Sequence, residues 1–193
     1  MEEKKIESMD EGLKKVLDEM KAKGVSVKDE PGKSVVRLHT TGLGGEKVMV
    51  EFDCQEEGDG DEWLDNEDDD EEVEAAMDAA MEDDEDVDDT GYNFLATITK
   101  GSDKLVFTGT ATSCISLSTV ACCPPGMDHK DTSLYEGPVF HELDSELKEG
   151  ILGYLQERNI DDNMAAFICM YADHKEQSEY TQWLKQIKQF VTK

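Results

Sequence analysis

Residues 94–120 read FLATITKGSDKLVFTGTATSCISLSTV, and this stretch says most about the architecture. Phe94–Thr99, Leu105–Thr112 and Ile115–Val120 are rich in Val, Thr, Ile and Phe and tend to alternate apolar with polar residues, the period of a β-strand with one face in a core. Lys100-Gly101-Ser102-Asp103 between the first two is a hairpin-like connection. Upstream, Val35–Thr40 and Lys47–Phe52 have the same character and are joined by Thr41-Gly42-Leu43-Gly44-Gly45. Connections this short place successive strands side by side and antiparallel. The pattern predicts an antiparallel meander, with a weaker strand between Ser133 and Phe140 after a Pro/Gly-rich loop.

The connection between Phe52 and Phe94 is of another kind. From Glu56 to Asp89 the chain reads EEGDGDEWLDNEDDDEEVEAAMDAAMEDDEDVDD, with 21 carboxylates and no Lys, Arg or His, so most of the formal net charge of −28 sits in one segment. A block of like charge this long repels itself and buries no core; it reads as a solvated insertion into the sheet. One reading of it is a disordered loop that serves solubility alone. The other is a polyanionic surface for basic proteins, offered by Glu56, Glu57, Asp59, Asp61, Glu62, Asp65, Glu67, Asp68, Asp69, Asp70, Glu71, Glu72, Glu74, Glu82, Asp83, Asp84, Glu85, Asp86, Asp88 and Asp89. A field of this sign repels phosphates and anionic lipid headgroups, which argues against direct nucleic-acid or membrane binding by the bulk surface.

Both flanks of the sheet read as helix. Ile6, Met9, Leu13, Val16 and Met20 recur at steps of three and four, an apolar seam on a helix running to about Lys23 with Gly24 as its stop. So short a helix is marginal alone and needs helical partners. Asp144 or Ser145 can cap a helix with Leu147, Ile151, Leu152 and Leu155 on its apolar face, ending near Arg158-Asn159, where Asn accepts the left-handed position. Asp161 or Asp162 then caps a longer one. Its stripe uses Phe167, Met170, Tyr171 and His174 and resumes at Tyr180, Trp183, Leu184, Ile187 and Val191 beyond the polar KEQSE. The order is α+β in a single domain spanning 1–193: helix 1–24, sheet 33–140 with its acidic loop 55–90, and two helices over 144–191.

Several function classes are disfavoured by the residues. His39, His129, His141 and His174 show no paired-ligand spacing, and there is no G-x-S-x-G, P-loop or G-x-G-x-x-G. A metal-dependent nuclease holds its carboxylates on rigid elements, whereas these are massed in a glycine-containing run. No catalytic, cofactor or metal residue is therefore assigned. An EF-hand loop begun at Asp59 would place Trp63 and Leu64 where a ligand and a turn glycine belong, so calcium would bind only weakly, through charge density. The five cysteines contain no C-x-x-C and fit a reducing compartment, Cys122-Cys123 included. No apolar run reaches the ~20 residues that span a bilayer. The first residues, MEEKKIESMDEG, resemble neither a signal peptide nor an organelle presequence, which fits a cytosolic protein or one whose leader is not in this chain. Lys175, Lys185 and Lys188 make a weak candidate for direct RNA contact, with Asp173, Glu176 and Glu179 among them.

The segment from Pro138 to Val191 resembles a known family on specific residues: an aromatic followed by LDSEL, then YLQERNI, AAF, KEQSEY and WLKQIKQFV. The likeness is to the mitochondrial acidic matrix protein family, also called the complement C1q globular-head-binding or mitochondrial glycoprotein family. Asn159 stands where that family tends to have Gly, a change the left-handed position tolerates. The resemblance implies a strongly twisted antiparallel sheet of about seven strands, with the N-terminal helix packed on the two C-terminal ones and three subunits closed into a ring. It makes Ile6, Met9, Leu13, Val16, Met20, Tyr180, Trp183, Leu184 and Ile187 the expected packing and assembly residues. It further implies a matrix location and a scaffold or chaperone for basic RNA-binding or ribosomal proteins. Such a scaffold would support mitochondrial RNA processing or editing, ribosome assembly and translation, touching RNA only indirectly. The alternative is a low-affinity calcium or cation buffer.

Overall fold

The computed structural model describes residues 9–58, 91–128, 130–131 and 133–193, without the side chains of 56–58. In chain order it contains α1 (Glu11–Ala22), β1 (Ser26–Asp29), β2 (Val35–Thr41), β3 (Lys47–Gly58), β4 (Gly91–Lys100), β5 (Asp103–Ala111), β6 (Ile115–Cys123), a 3-10 turn (Phe140–Glu142), α2 (Ser145–Gln156) and α3 (Asp162–Val191). The strands form one sheet in the order β1 to β6, each antiparallel to the next, so the meander forms as the alternation implied.

One strand expectation is met in part and another is corrected. The described residues hold six strands where about seven were implied, and one of the six, β1, is illegible in the sequence: Ser26-Val27-Lys28-Asp29 has one apolar residue and becomes a strand by pairing with β2. No strand forms over 133–140. Gly137 there takes φ +80 and Pro138 has no N–H to give a ladder, so the segment runs as turns into the 3-10 helix.

One face of the sheet buries Val36, Leu38, Val50, Phe52, Phe94, Ala96, Ile98 and Phe107 against Met164, Phe167, Ile168 and Tyr171 of α3. The course of α3 follows one end of the strands. Ile115 N lies 3.4 Å from Asp162 Oδ1, Cys169 Sγ donates to the Ala111 carbonyl at 3.3 Å, and Tyr92 Oη donates to Asp173 at 2.6 Å. Further along, Lys175 and Glu179 reach the β1–β2 turn, where Glu30 and Gly32 meet them.

The N-terminal helix lies on α3, so close that a Cβ on Gly12 would sit 3.2 Å from Met170 Cε. Leu13, Leu17 and Met20 are buried on that contact with Met9 just ahead of the helix, while Val16 is only half-buried. The seam is therefore widened: a helix lying on a broad core presents a wider stripe than a strict a/d seam, and Leu17 joins Met9, Leu13 and Met20 while Val16 packs at its edge. Ile6 lies outside the described residues. The caps follow the residue chemistry. Asp10, Asp144 and Asp161 accept the N–H of Gly12, Glu146 and Met164 at 3.1, 2.9 and 3.1 Å. Gly24 at φ +83 stops α1, and Asn159 at φ +62 stops α2 with Ile160 N donating to Leu155 O at 3.1 Å. Leu147, expected on the apolar face of α2, is half exposed; only the second half of that helix reaches the core, through Leu155.

Two charged clamps are buried in the body. Lys175 is fully buried; its Nζ ion-pairs with Asp29 at 2.7 Å and with Glu179, and donates to the Glu30 carbonyl at 3.1 Å. Burial alone would lower this ammonium's pKa, but the hydrogen bonds and charges of Asp29 and Glu179 raise it instead. Arg158, 5% exposed, donates to Glu46 at 2.8 Å and to the Tyr154 carbonyl at 2.6 Å, its guanidinium 3.4 Å above the Tyr154 ring. Asp29→Ala leaves a buried ammonium short of its partner and should cost about 3 kcal/mol in urea unfolding. The pair Met9→Lys and Leu13→Lys should lower the urea midpoint further, since each removes core contact and buries an ammonium; an unchanged midpoint would place α1 off the core.

Candidate partner-binding surfaces

The acidic insertion is held by a paired stalk. β3 and β4 stay in register through Glu57↔Tyr92 to Gly58↔Gly91, after a slip between Phe52 and Glu57, so the chain leaves and re-enters the sheet at adjacent positions. Glu56 and Glu57 belong to the end of β3. The other expected partner-binding carboxylates, Asp59 to Asp89, lie outside the described residues. What the fold shows is where they are tethered: at the end of the sheet along which α3 runs.

The last third of α3 stands clear of the body. Tyr180, Trp183, Leu184 and Ile187 are between 45% and 54% exposed, and Phe190 and Val191 more than 70%. Among the described residues, then, the Tyr180–Ile187 stripe does not pack as Met9, Leu13 and Met20 do; its first residues face only an open groove. Tyr180 and Trp183 stack with centroids 6.0 Å apart. They line one wall of a groove of about 430 Å3 whose other wall is Gly32, Ser34 and Gln55, directly before the acidic insertion. From Tyr180 to the last residue the chain has three lysines, two of them on this helix, and no acid. The expected basic patch is nevertheless corrected, since Lys175 is buried in its clamp and cannot act with Lys185 and Lys188.

The opposite face of the sheet carries a charged centre that the sequence analysis did not single out. Glu51, 8% exposed, accepts from Arg37 Nε at 2.5 Å and from Lys130, which reaches over from the 124–137 segment. Burial opposes its ionisation, but Lys130 and then Arg37 outweigh this and hold the carboxyl below its ordinary range. The available signal was a lone acid in the apolar run Val48-Met49-Val50-Glu51-Phe52, cross-strand from Arg37. Met127 and Leu134 of the same segment cover Val106, Ala121 and Cys123. Cys122 and Cys123 fall on opposite faces of β6, the first exposed and the second buried with its thiol directed to the Met127 carbonyl. Burial and then Asp53 raise the Cys54 thiol pKa. Among the described residues no group of three or more His, Cys, Asp or Glu is placed to hold a metal, and no helix is long and apolar enough to cross a membrane.

A meander backed on one face by helices, with its main insertion between the third and fourth strands, defines an α+β class that solved structures share. A Leishmania major protein described as a sequence homologue of human p32 matches with a TM-score of 0.63 at 18% identity, over 92% of this chain and 96% of that one. The p22 protein of Trypanosoma brucei matches at 0.65 and 18%, over 93% and 96%. At that identity the likeness shows the fold alone. Membership comes from the sequence: the chain belongs to the mitochondrial glycoprotein (MAM33) family, whose model matches residues 1–191, and its localisation is mitochondrial. Two relatives agree. The mitochondrial acidic protein mam33 of Schizosaccharomyces pombe is 44% identical over 57 residues, 30% of this chain and 21% of that protein. An uncharacterized mitochondrial protein of Arabidopsis thaliana is 31% identical over 77 residues, 40% and 31% respectively. The matches thus span between a fifth and a third of the relatives' lengths.

Because the folded-state pKa of Glu51 is depressed, its ion pairs stabilise the fold above the ordinary carboxylate range and lose that contribution as pH falls through the depressed value. The stability gap between wild type and Glu51→Gln should accordingly be widest at neutral pH and close on acidification, as read by urea titrations at several pH values. Iodoacetamide should alkylate exposed Cys114 and Cys122 well before buried Cys54 and Cys123, as resolved by peptide mass spectrometry.

Proposed function

We propose that this chain is an acidic scaffold of the mitochondrial matrix that binds basic proteins, above all RNA-binding and ribosomal ones, and carries out no bond chemistry of its own. The observation that carries the reading is the segregation of charge: 21 carboxylates without a cation in residues 56–89, tethered through the Gly58↔Gly91 pairing to an ordered sheet. Such a field raises the local concentration of Lys/Arg-rich partners and steers their encounter. It repels RNA itself, so a role in RNA processing or editing, ribosome assembly or translation runs through the proteins that grip RNA. Shielding or delivering those proteins is what the scaffold does.

The assembly that suits this role is a homotrimer. The apolar stripe Tyr180, Trp183, Leu184 and Ile187 is what a second and third copy would cover, and a ring of three chains at −28 each concentrates −84 in one particle.

Substituting Glu67, Asp68, Asp69, Asp70, Glu71, Glu72 and Glu74 by Gln and Asn should lower the salt concentration at which basic proteins elute from the immobilised chain. The comparison uses nuclease-treated mitochondrial extract, and identical elution from both baits would reduce the insertion to a solubility device. Calcium titration of the same pair by calorimetry separates the buffer reading, which requires cation binding that the neutralised variant loses. For assembly, sedimentation should give three times 21.6 kDa for the wild type and a smaller species for Trp183→Asp with Ile187→Asp.

A further inference from the structure

The sheet face turned away from α3 carries a groove of about 490 Å3 lined by Glu51, Asp53, Asn93, Thr108, Ser118 and Lys130, among others. We infer that this groove docks a lysine or arginine side chain of a basic partner, and that Lys130 is the chain's own occupant of the same carboxylate. The inference rests on the proposed capture of basic proteins and gives it a place on the folded body, apart from the acidic insertion.

A carboxylate as buried as Glu51 needs cations, and the two it has are unequal. Arg37 sits directly cross-strand, fixed by the β2–β3 ladder, with its Nε on Glu51 Oε2. Lys130 reaches Oε1 from a loop, and its side chain is 51% exposed. The carboxylate is nearly buried, but the lysine itself lies half in water on a loop, so it can leave the pair without disturbing the ladder that holds Arg37. The loop is anchored on either side of Lys130 without it: Met127 and Leu134 pack on Val106, Ala121 and Cys123, and Asp131 closes its own turn on Ser133. Withdrawing the lysine therefore unpacks neither anchor.

Once it withdraws, Glu51 keeps one fixed cation and one unmatched oxygen at the wall of a groove that also holds the Asp53 carboxylate, which accepts from Ser34 Oγ and Gln55 N with lone pairs to spare, the Asn93 amide, and the hydroxyls of Ser118 and of Thr108, the latter paired with Thr119. That donor and acceptor set suits an ammonium or a guanidinium, whose several N–H groups each need an oxygen. The neighbouring cross-strand row on this face, His39↔Met49↔Thr97, holds two more buried polar atoms, His39 Nε2 and Thr97 Oγ1, with no hydrogen-bond partner among the described residues. The face is thus under-satisfied in polar contacts beside the one lysine it borrows from its own loop.

The test measures binding of a fluorescent Arg/Gly-repeat peptide at physiological ionic strength. If Lys130 competes for the site, Lys130→Met removes the competitor and should tighten binding about three- to tenfold. Lys15→Met, which makes the same charge change on the exposed face of α1, should give much less. Combining Lys130→Met with Glu51→Gln should cancel the gain. Combining it with the neutralised acidic insertion should preserve the gain on a weaker baseline, which separates this site from the scaffold reading as a whole. Equal or weaker peptide binding by Lys130→Met, or an equal gain from Lys15→Met, overturns the inference and leaves the ion pair as a loop staple. Should Glu51→Gln fail to fold, hydrogen exchange on the wild type decides. Added peptide should speed exchange at the Lys130 amide, which donates to Asp128 Oδ1 at 3.1 Å, as the lysine is displaced, and unchanged exchange there counts against it.

Discussion

A single buried ammonium organises this fold. Lys175 joins the long C-terminal helix, the edge strand and the turn after it: Nζ meets Asp29 at the end of β1, the Glu30 carbonyl beyond it, and Glu179 one helical turn further along. Asp29 is held a second time by the Tyr171 hydroxyl at 2.8 Å, and the Tyr171 ring packs edge-on against Phe52 and beside Phe167. Burying a charge costs more than its Coulomb attraction alone returns, so the cluster is better understood as a device for geometry than as a source of net stability. An edge strand of four residues with one apolar side chain has little burial of its own to position it. The ion pair substitutes direction for hydrophobic area.

The position of that clamp has consequences for the surface. Up to Glu179 the helix follows the strand ends, and the groove at its departure is shared with Gln55, the residue before the acidic insertion. Charge and exposed apolar surface thus emerge side by side at one end of the molecule. Away from it, Arg158 fastens the β2–β3 turn to the α2–α3 junction through Glu46, which this guanidinium holds ionised below the ordinary carboxylate range. Asn159 in the left-handed region aims α3 back across the sheet. Among the described residues the body is pinned by ion pairs between distant parts of the chain.

The other sheet face is organised by the opposite charge. A carboxylate, Glu51, is wrapped by two cations from different parts of the chain, one supplied by the ladder and one by a loop. Both faces therefore pair charges that are far apart in sequence, but Lys175 is sealed while the Glu51 centre opens on a groove. Solvent access decides which of the two is available to a partner.

Much of this was legible in the residues. Alternation over Val35–Thr40, Lys47–Phe52 and 94–120 specified five of the six strands, and short turns specified their antiparallel order, because both signals are local. Capping aspartates and the Gly24 and Asn159 stops located the helix ends for the same reason. β1 escaped because its strand character comes wholly from β2, and Leu17 escaped because the core, rather than the helix, sets how wide a stripe is covered. Of the candidate site, the sequence identified the carboxylates of residues 56–89 and the Tyr180–Ile187 stripe as features. By itself it determined fold class, the segregation of charge and family membership, which depend on periodicity, composition and residue identity. Only the tertiary structure decided that Lys175 is a core clamp and no basic patch, that Glu51 is a charged centre, and that the acidic insertion is tethered beside an uncovered helix, since each depends on which distant residues meet and which are left facing water.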